Sequence, residues 1–167
     1  MQFKLIPPAP ADLETVERAQ RAVPLVPGSE NDCCARLQSR LDLPSRDVAR
    51  TWLTFLRALE LAEETPSGFT RRRVDPTPEH LRDAFLRRVY GADHLLIALR
   101  EGTEPMDVQT AYEQFRHRVP TWETYKQPDW EDVWRERVGV ILEWFVLLDL
   151  AERTDEGYVP TERPGRI

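Results

Sequence analysis

Apolar residues recur at helical spacing in two segments of the chain that lie a constant 89 positions apart. Residues 52–69 read as an apolar helix, the tripeptide Leu-Ala-Glu, a glycine turn and an aromatic residue, and residues 141–158 repeat this order. The matched identities pair Leu59, Leu61, Ala62, Glu63, Thr65 and Gly68 with Leu148, Leu150, Ala151, Glu152, Thr154 and Gly157. Self-similarity at a fixed offset is typical of a duplicated structural unit. The pattern therefore predicts two copies of one small module.

The hydrophobic pattern of the first half predicts an extended arm, three helices and a β-hairpin, in that order. Three prolines keep residues 1–10 extended. Ser29 and Ser45 precede apolar runs of helical period and predict helix N-caps. The predicted elements are helices at 12–21, 29–42 and 45–59 and strands at 60–64 and 69–74 around a turn with proline and glycine. They form a first unit over residues 11–75.

The second half repeats this order with longer elements, after a boundary at Asp75 to Pro78. The predicted elements are a helix capped by Thr77 and interrupted near Gly91, a helix at 108–119, a polar and aromatic loop at 121–128, a long helix at 130–151 and a hairpin at 152–158. They form a second unit over residues 76–160. We expect residues 161–167 to be a flexible tail.

Three helices followed by a two-stranded hairpin is the order of a winged helix, an elaborated helix-turn-helix. Residues 41–53 resemble the turn and recognition helix of prokaryotic winged-helix transcriptional regulators. Residues 59–63 resemble the leucine-then-acid entry to the wing of that family. The resemblance implies a fold that is mainly α with small β-hairpins (α+β), built from two tandem winged-helix units.

The resemblance implies that the first unit's third helix enters the major groove of DNA and that its hairpin touches the phosphate backbone. Arginine pairs bidentately with guanine edges and binds phosphates. The candidate DNA-binding residues are Arg46, Arg50, Thr51, Thr54, Arg57, Arg71, Arg72 and Arg73. The alternative is a solvated arginine face paired with nearby carboxylates, since the chain is rich in arginine.

The second unit lacks these polar features at the matched positions. Arg50 becomes Gly139, and only Arg46 keeps a basic counterpart, Arg135. The long helix is apolar on nearly every side, so it needs a second buried face. The candidate interface residues are Val140, Trp144 and Leu147. We expect them to meet either the first unit or a second chain, and a two-fold homodimer is favoured.

Charge and composition bear on the environment of the protein and on its partners, but they do not determine its function. The 167 residues carry a net charge of −6, and Lys4 and Lys126 are the only two lysines. Scarce lysine with acidic excess suits a salt-adapted protein, and it also suits a GC-rich genome. Residues 1–75 carry 11 basic and 11 acidic side chains, so the acidic excess belongs to the second half.

Motifs for enzymatic chemistry are missing from the sequence. There is no phosphate-binding glycine loop, no nucleophile elbow and no zinc-ligand spacing. The adjacent Cys33 and Cys34 are predicted to be buried free thiols. The sequence therefore predicts no enzyme, no metal and no cofactor. Without a signal peptide or a membrane span, we expect a cytoplasmic protein with no membrane partner.

Two functions remain open at this point. The favoured one is a DNA-binding, transcription-associated protein whose first unit contacts double-stranded DNA and whose second unit dimerises or docks a partner. The alternative is an adaptor that uses both winged helices for protein contacts alone, as a subunit of a chromosome-organising or other complex. The arginines of the third helix favour the first, and the neutral first unit favours the second.

Overall fold

The computed structural model describes residues 2–161 of the chain. The chain forms two compact units, which we call unit 1 (up to Tyr90) and unit 2 (from Gly91). Each unit holds several helices and one small antiparallel hairpin. The predicted fold class, mainly α with small β-hairpins, is therefore confirmed. The predicted flexible tail at 161–167 lies outside the described residues except for Thr161.

Unit 1 contains four helices and one hairpin. Its elements are α1 (Glu14–Ala22), α2 (Glu30–Leu41), α3 (Arg46–Ala58), β1 (Ala62–Thr65), β2 (Gly68–Arg71) and α4 (Pro78–Arg88). The predicted caps form, because Ser29 Oγ accepts a hydrogen bond from the Asp32 amide and Ser45 Oγ accepts one from the Val48 amide. The apolar stripe of α3 is buried through Trp52, Phe55 and Leu56. Local capping and helical period thus fix the helix-turn-helix.

Unit 2 repeats the winged-helix order with insertions. Its elements are α5 (Ala92–Glu101), α6 (Val108–Phe115), a 3-10 turn (Arg116–Arg118), α7 (Thr121–Lys126), α8 (Trp130–Leu147), β3 (Ala151–Thr154) and β4 (Gly157–Pro160). The prediction of a polar loop at residues 121–128 is wrong, since α7 occupies most of this segment. This short helix packs on α8, and Trp134 Nε1 donates to the buried Glu123 carboxylate at 3.2 Å.

Backbone geometry shows the duplication most clearly. In unit 1, Gly28 exchanges both backbone hydrogen bonds with Phe69, and in unit 2 Met106 does the same with Tyr158. A single-residue β-bridge therefore borders each two-stranded hairpin. The matched pairs Glu60 and Asp149 (φ 60° and 61°) and Gly68 and Gly157 (φ 133° and 140°) adopt the same left-handed or Gly-favoured conformations. The offset of 89 positions is thus a structural repeat.

Helix α4 belongs to unit 1, although the sequence pattern placed it in a second unit beginning at residue 76. The Phe85 ring meets Phe55 of α3 edge to face, with 6.2 Å between ring centroids. His80 Nε2 lies 2.8 Å from the Leu59 carbonyl. The arm also docks here, because Phe3 pairs with Val89 as a backbone bridge. Along the chain, the boundary between the two compact units consequently lies between Tyr90 and Gly91 and not between residues 75 and 76.

A charged network fixes α4 to the end of α3. Both Glu60 oxygens accept hydrogen bonds from Arg87 at 3.1 Å, and Arg88 Nη1 donates to the same carboxylate at 2.8 Å. These hydrogen bonds, led by those from Arg87, lower the pKa of Glu60 to about 2 from an ordinary 4.5. The carboxylate is therefore held in its charged form in the folded state.

Replacing Glu60 with glutamine is expected to lower the free energy of unfolding at neutral pH by on the order of 2 kcal/mol. Because the folded-state pKa is lowered, the stabilisation is present above pH 4.5 and is lost as the pH falls towards 2. The two proteins should thus converge in acid. Chemical unfolding across this range measures the effect, with the exposed Glu63→Gln as control. A constant difference at every pH would contradict the assignment.

Candidate nucleic-acid interface

The first half of α3 presents two of the predicted arginines to solvent. The side chains of Arg46 and Arg50 are 47% and 48% exposed. Both lie beside Glu30 of α2, with nitrogen-to-oxygen distances of 3.5 and 3.7 Å, and Arg50 also approaches Asp47 at 3.3 Å. Exposed ion pairs of this kind contribute little stability, so an incoming anion can replace them.

The second half of α3 presents fewer exposed polar side chains to a ligand. Thr51 and Thr54 are partly buried, and the Thr51 hydroxyl donates to the Asp47 carbonyl at 3.1 Å. Arg57 is only 27% exposed, lies 3.5 Å from Glu64 and sits over the Phe3 ring of the arm at 5.7 Å. Protein groups already contact this part of the helix. The exposed basic surface of α3 is therefore confined to its N-terminal half.

The three consecutive arginines lie at the base of the hairpin, whereas the sequence placed them just past its tip. Arg71 pairs with Ala62, the first residue of β1, and the turn begins at Gly68, three residues away at the other end. A strand rises about 3.3 Å per residue, which separates Arg71 from the tip by about 10 Å. Arg72 and Arg73 continue beyond the strand. These arginines therefore lie away from the tip of the hairpin.

Arg71 caps the C-terminal end of α1. Its Nε donates to the Val23 carbonyl at 2.9 Å and its Nη2 to the Arg21 carbonyl at 3.1 Å. The carbonyls at the end of a helix attract cations. Two arginines of α2 also donate hydrogen bonds to this helix terminus, Arg36 to the Ala22 carbonyl and Arg40 to the Arg21 carbonyl. The candidate residues predicted from the sequence do not include Arg36 and Arg40. Their spacing of four positions, which places two basic side chains on one face of α2, is the signal that could have found them.

The outer strand of the wing is acidic. Glu63 and Glu64 on β1 are exposed, and the tip residues Pro66 and Ser67 carry no charge. Carboxylates on this strand would repel a phosphate backbone. The wing of unit 1 is therefore poorly suited to bind a phosphate backbone.

The long helix α8 buries more of its apolar side chains within the chain than the sequence pattern indicated. Trp144 is completely buried within the chain, while Val140 and Leu147 remain partly exposed. A second chain cannot contact Trp144 in this fold, so its assignment to an intermolecular interface is corrected. Arg135, the counterpart of Arg46, donates to Gln109 at 2.8 Å and pairs with Asp132 at 2.8 Å.

Other chemistry is sparse over residues 2–161. Cys33 and Cys34 are buried free thiols, and burial is the main cause that raises the pKa of each. Within the described range, no group of three or more histidine, cysteine or carboxylate side chains is placed to hold a metal ion. None of the helices seen in that range has the length and apolar character to cross a membrane.

The geometry defines a tandem winged-helix protein. Each unit has the helix-turn-helix, the isolated β-bridge and the hairpin, and the repeat extends to matched backbone conformations. The halobacterial double winged helix domain matches residues 1–165, and the chain belongs to that family. No curated protein and no solved structure matches the chain significantly. The family also agrees with the acidic, lysine-poor composition.

Proposed function

We propose that this protein is a DNA-binding regulator that contacts duplex DNA through the N-terminal half of α3. The observation that supports this most is the exposure of Arg46 and Arg50 on the recognition helix of a helix-turn-helix. Both form exposed ion pairs with carboxylates, which DNA can replace. Bidentate hydrogen bonds from arginine to guanine or phosphate supply the contact.

The proposed DNA surface is smaller than the sequence pattern indicated. Arg57 and Arg71 are engaged by protein groups, and Arg72 Nη1 donates to the Glu60 carbonyl at 3.4 Å. Arg46 and Arg50 carry the contact, with Thr51 and Thr54 along the same helix. At molar salt the Debye length is about 3 Å, so short-range hydrogen bonds must dominate over long-range attraction. We therefore expect modest affinity with base preference.

Unit 2 is proposed to mediate self-association or the docking of a protein partner. Its matched helix α8 has Gly139 and Val140 where α3 has Arg50 and Thr51. Val140 and Leu147 are the partly exposed apolar residues available for such a contact. This role is non-enzymatic, and we place it in the cytoplasm.

Replacing Arg46 and Arg50 together with alanine is expected to weaken binding to duplex DNA about tenfold or more. The matched control is Arg135→Ala, which removes the same side chain at the equivalent position of unit 2. Fluorescence anisotropy with a labelled duplex pool in molar KCl measures both. Equal losses in the two proteins, or an unchanged affinity in the double variant, would contradict the proposal.

A protein-interaction adaptor is the second candidate, and the acidic wing favours it. Glu63 and Glu64 face solvent on β1, and residues 1–75 carry no net charge. DNA-binding domains are usually basic. A wild-type protein that binds no duplex DNA at low or high salt, yet self-associates in sedimentation, would favour the adaptor.

A further inference from the structure

A cleft of about 430 Å³ opens in unit 1 between α1 and the residues that follow β2. One wall is formed by Glu17, Gln20 and Arg21 of α1, and the other by Arg71, Arg72 and Arg73. Its volume is that of a small-ligand site. None of its lining residues lies on α3, so the cleft is distinct from the proposed DNA surface.

The walls of the cleft are fixed by hydrogen bonds. Gln20 is buried, and its Nε2 donates to the Arg72 carbonyl at 3.2 Å and to the Val74 carbonyl at 2.8 Å. Arg71 is fixed by its two hydrogen bonds to the end of α1. The backbone after β2 and one guanidinium group are therefore held in place before any ligand arrives, which lowers the entropic cost of binding.

Positive charge exceeds negative charge in the cleft. Four arginines line it against Glu17 and Asp75, and Glu17 is already paired with Arg21 at 2.5 Å. Among the described residues, the exposed Arg73 side chain has neither an ion pair nor a hydrogen bond. Burial, followed by the nearby Arg36 and Arg21, lowers the pKa of Arg71. An anion in the cleft would relieve this repulsion.

We propose that this cleft binds a phosphate group, with Arg73 and Arg21 as donors beside the fixed Arg71, since an anion can replace the exposed Arg21–Glu17 ion pair. A phosphate carries up to two charges and several acceptor oxygens, which suits several arginines that line one cleft better than a single carboxylate does. The phosphate belongs either to a phosphorylated small molecule or to a DNA backbone, and the two sources are separable by experiment. The inference does not depend on DNA binding by α3.

The test is a calorimetric titration of the full chain with pyrophosphate, against KCl of matched ionic strength. Replacing Arg21 and Arg73 together with alanine is expected to weaken pyrophosphate binding about tenfold or more. The backbone carbonyl of residue 21, which Arg71 and Arg40 use, remains in this variant. The matched control is the Arg46 and Arg50 double variant, which removes two arginines elsewhere and should bind pyrophosphate as the wild type does.

A parallel titration with duplex DNA identifies the source of the phosphate. Weakened pyrophosphate binding with unchanged DNA affinity in the Arg21 and Arg73 variant would indicate a small phosphorylated ligand. Weakened binding of both pyrophosphate and DNA in the Arg21 and Arg73 variant would indicate a backbone phosphate. Equal loss of pyrophosphate binding in both double variants, or no effect of the Arg21 and Arg73 changes on either ligand, would overturn the inference. Failure of the α3 proposal would appear separately, in the Arg46 and Arg50 variant.

Discussion

Replacing Gly68 or Gly157 with alanine is expected to lower the free energy of unfolding by about 2–4 kcal/mol. Both glycines have a φ that other residues rarely adopt, 133° and 140°. A Cβ at Gly68 would lie 2.5 Å from the Gly28 carbonyl oxygen, and one at Gly157 would lie 2.6 Å from the Met106 carbonyl carbon. Each substitution therefore forces the bridging backbone at Gly28 or Met106 away from the hairpin.

The control for these changes is Gly139→Ala on α8. A Cβ there would lie 3.6 Å from a Val108 methyl group, which is an ordinary contact. Because alanine is the better helix former, this variant should be more stable than the wild type by about 0.5–1 kcal/mol. Thermal unfolding followed by circular dichroism measures all three. Wild-type stability of the Gly68 and Gly157 variants would contradict the matched wing geometry.

Replacing Trp144 with alanine is expected to lower the free energy of unfolding by about 3–5 kcal/mol, because the side chain is completely buried. Replacing either of the partly exposed residues Val140 and Leu147 with alanine should lower the free energy of unfolding by about 1 kcal/mol. Chemical unfolding measures stability, and sedimentation velocity measures association in the same samples. A Trp144→Ala protein with near wild-type stability, changed only in its association, would show that this tryptophan belongs to an interface.

Locally encoded features were predictable from the sequence. Ser29 and Ser45 act as N-caps because the hydroxyl and the amide it accepts from lie three residues apart. The repeat could also be found, because Gly68 and Gly157 occupy conformations that favour glycine and the surrounding leucines are buried in both units. Such signals need no knowledge of distant contacts.

Non-local packing was not predictable in the same way. The apolar stripe of α4, with Leu81 and Phe85, suits either unit, and only its contacts with α3 assign it to unit 1. Trp144 is a second example. The sequence pattern of a buried apolar residue is the same whether its own chain or a partner chain covers it. The run of arginines at 71–73 indicated a charged patch correctly, but the pairing register decides that it lies at the hairpin base.

The most direct test of DNA binding through α3 is an amide chemical-shift titration of the isotope-labelled chain with duplex DNA. We expect the largest shifts at residues 45–51, at the start of α3, where Arg46 and Arg50 are exposed. Residues 130–147 of α8 should remain unperturbed, because their helix lacks the matched arginine pair. Shifts confined to unit 2, or no shifts at saturating DNA, would contradict the proposed function.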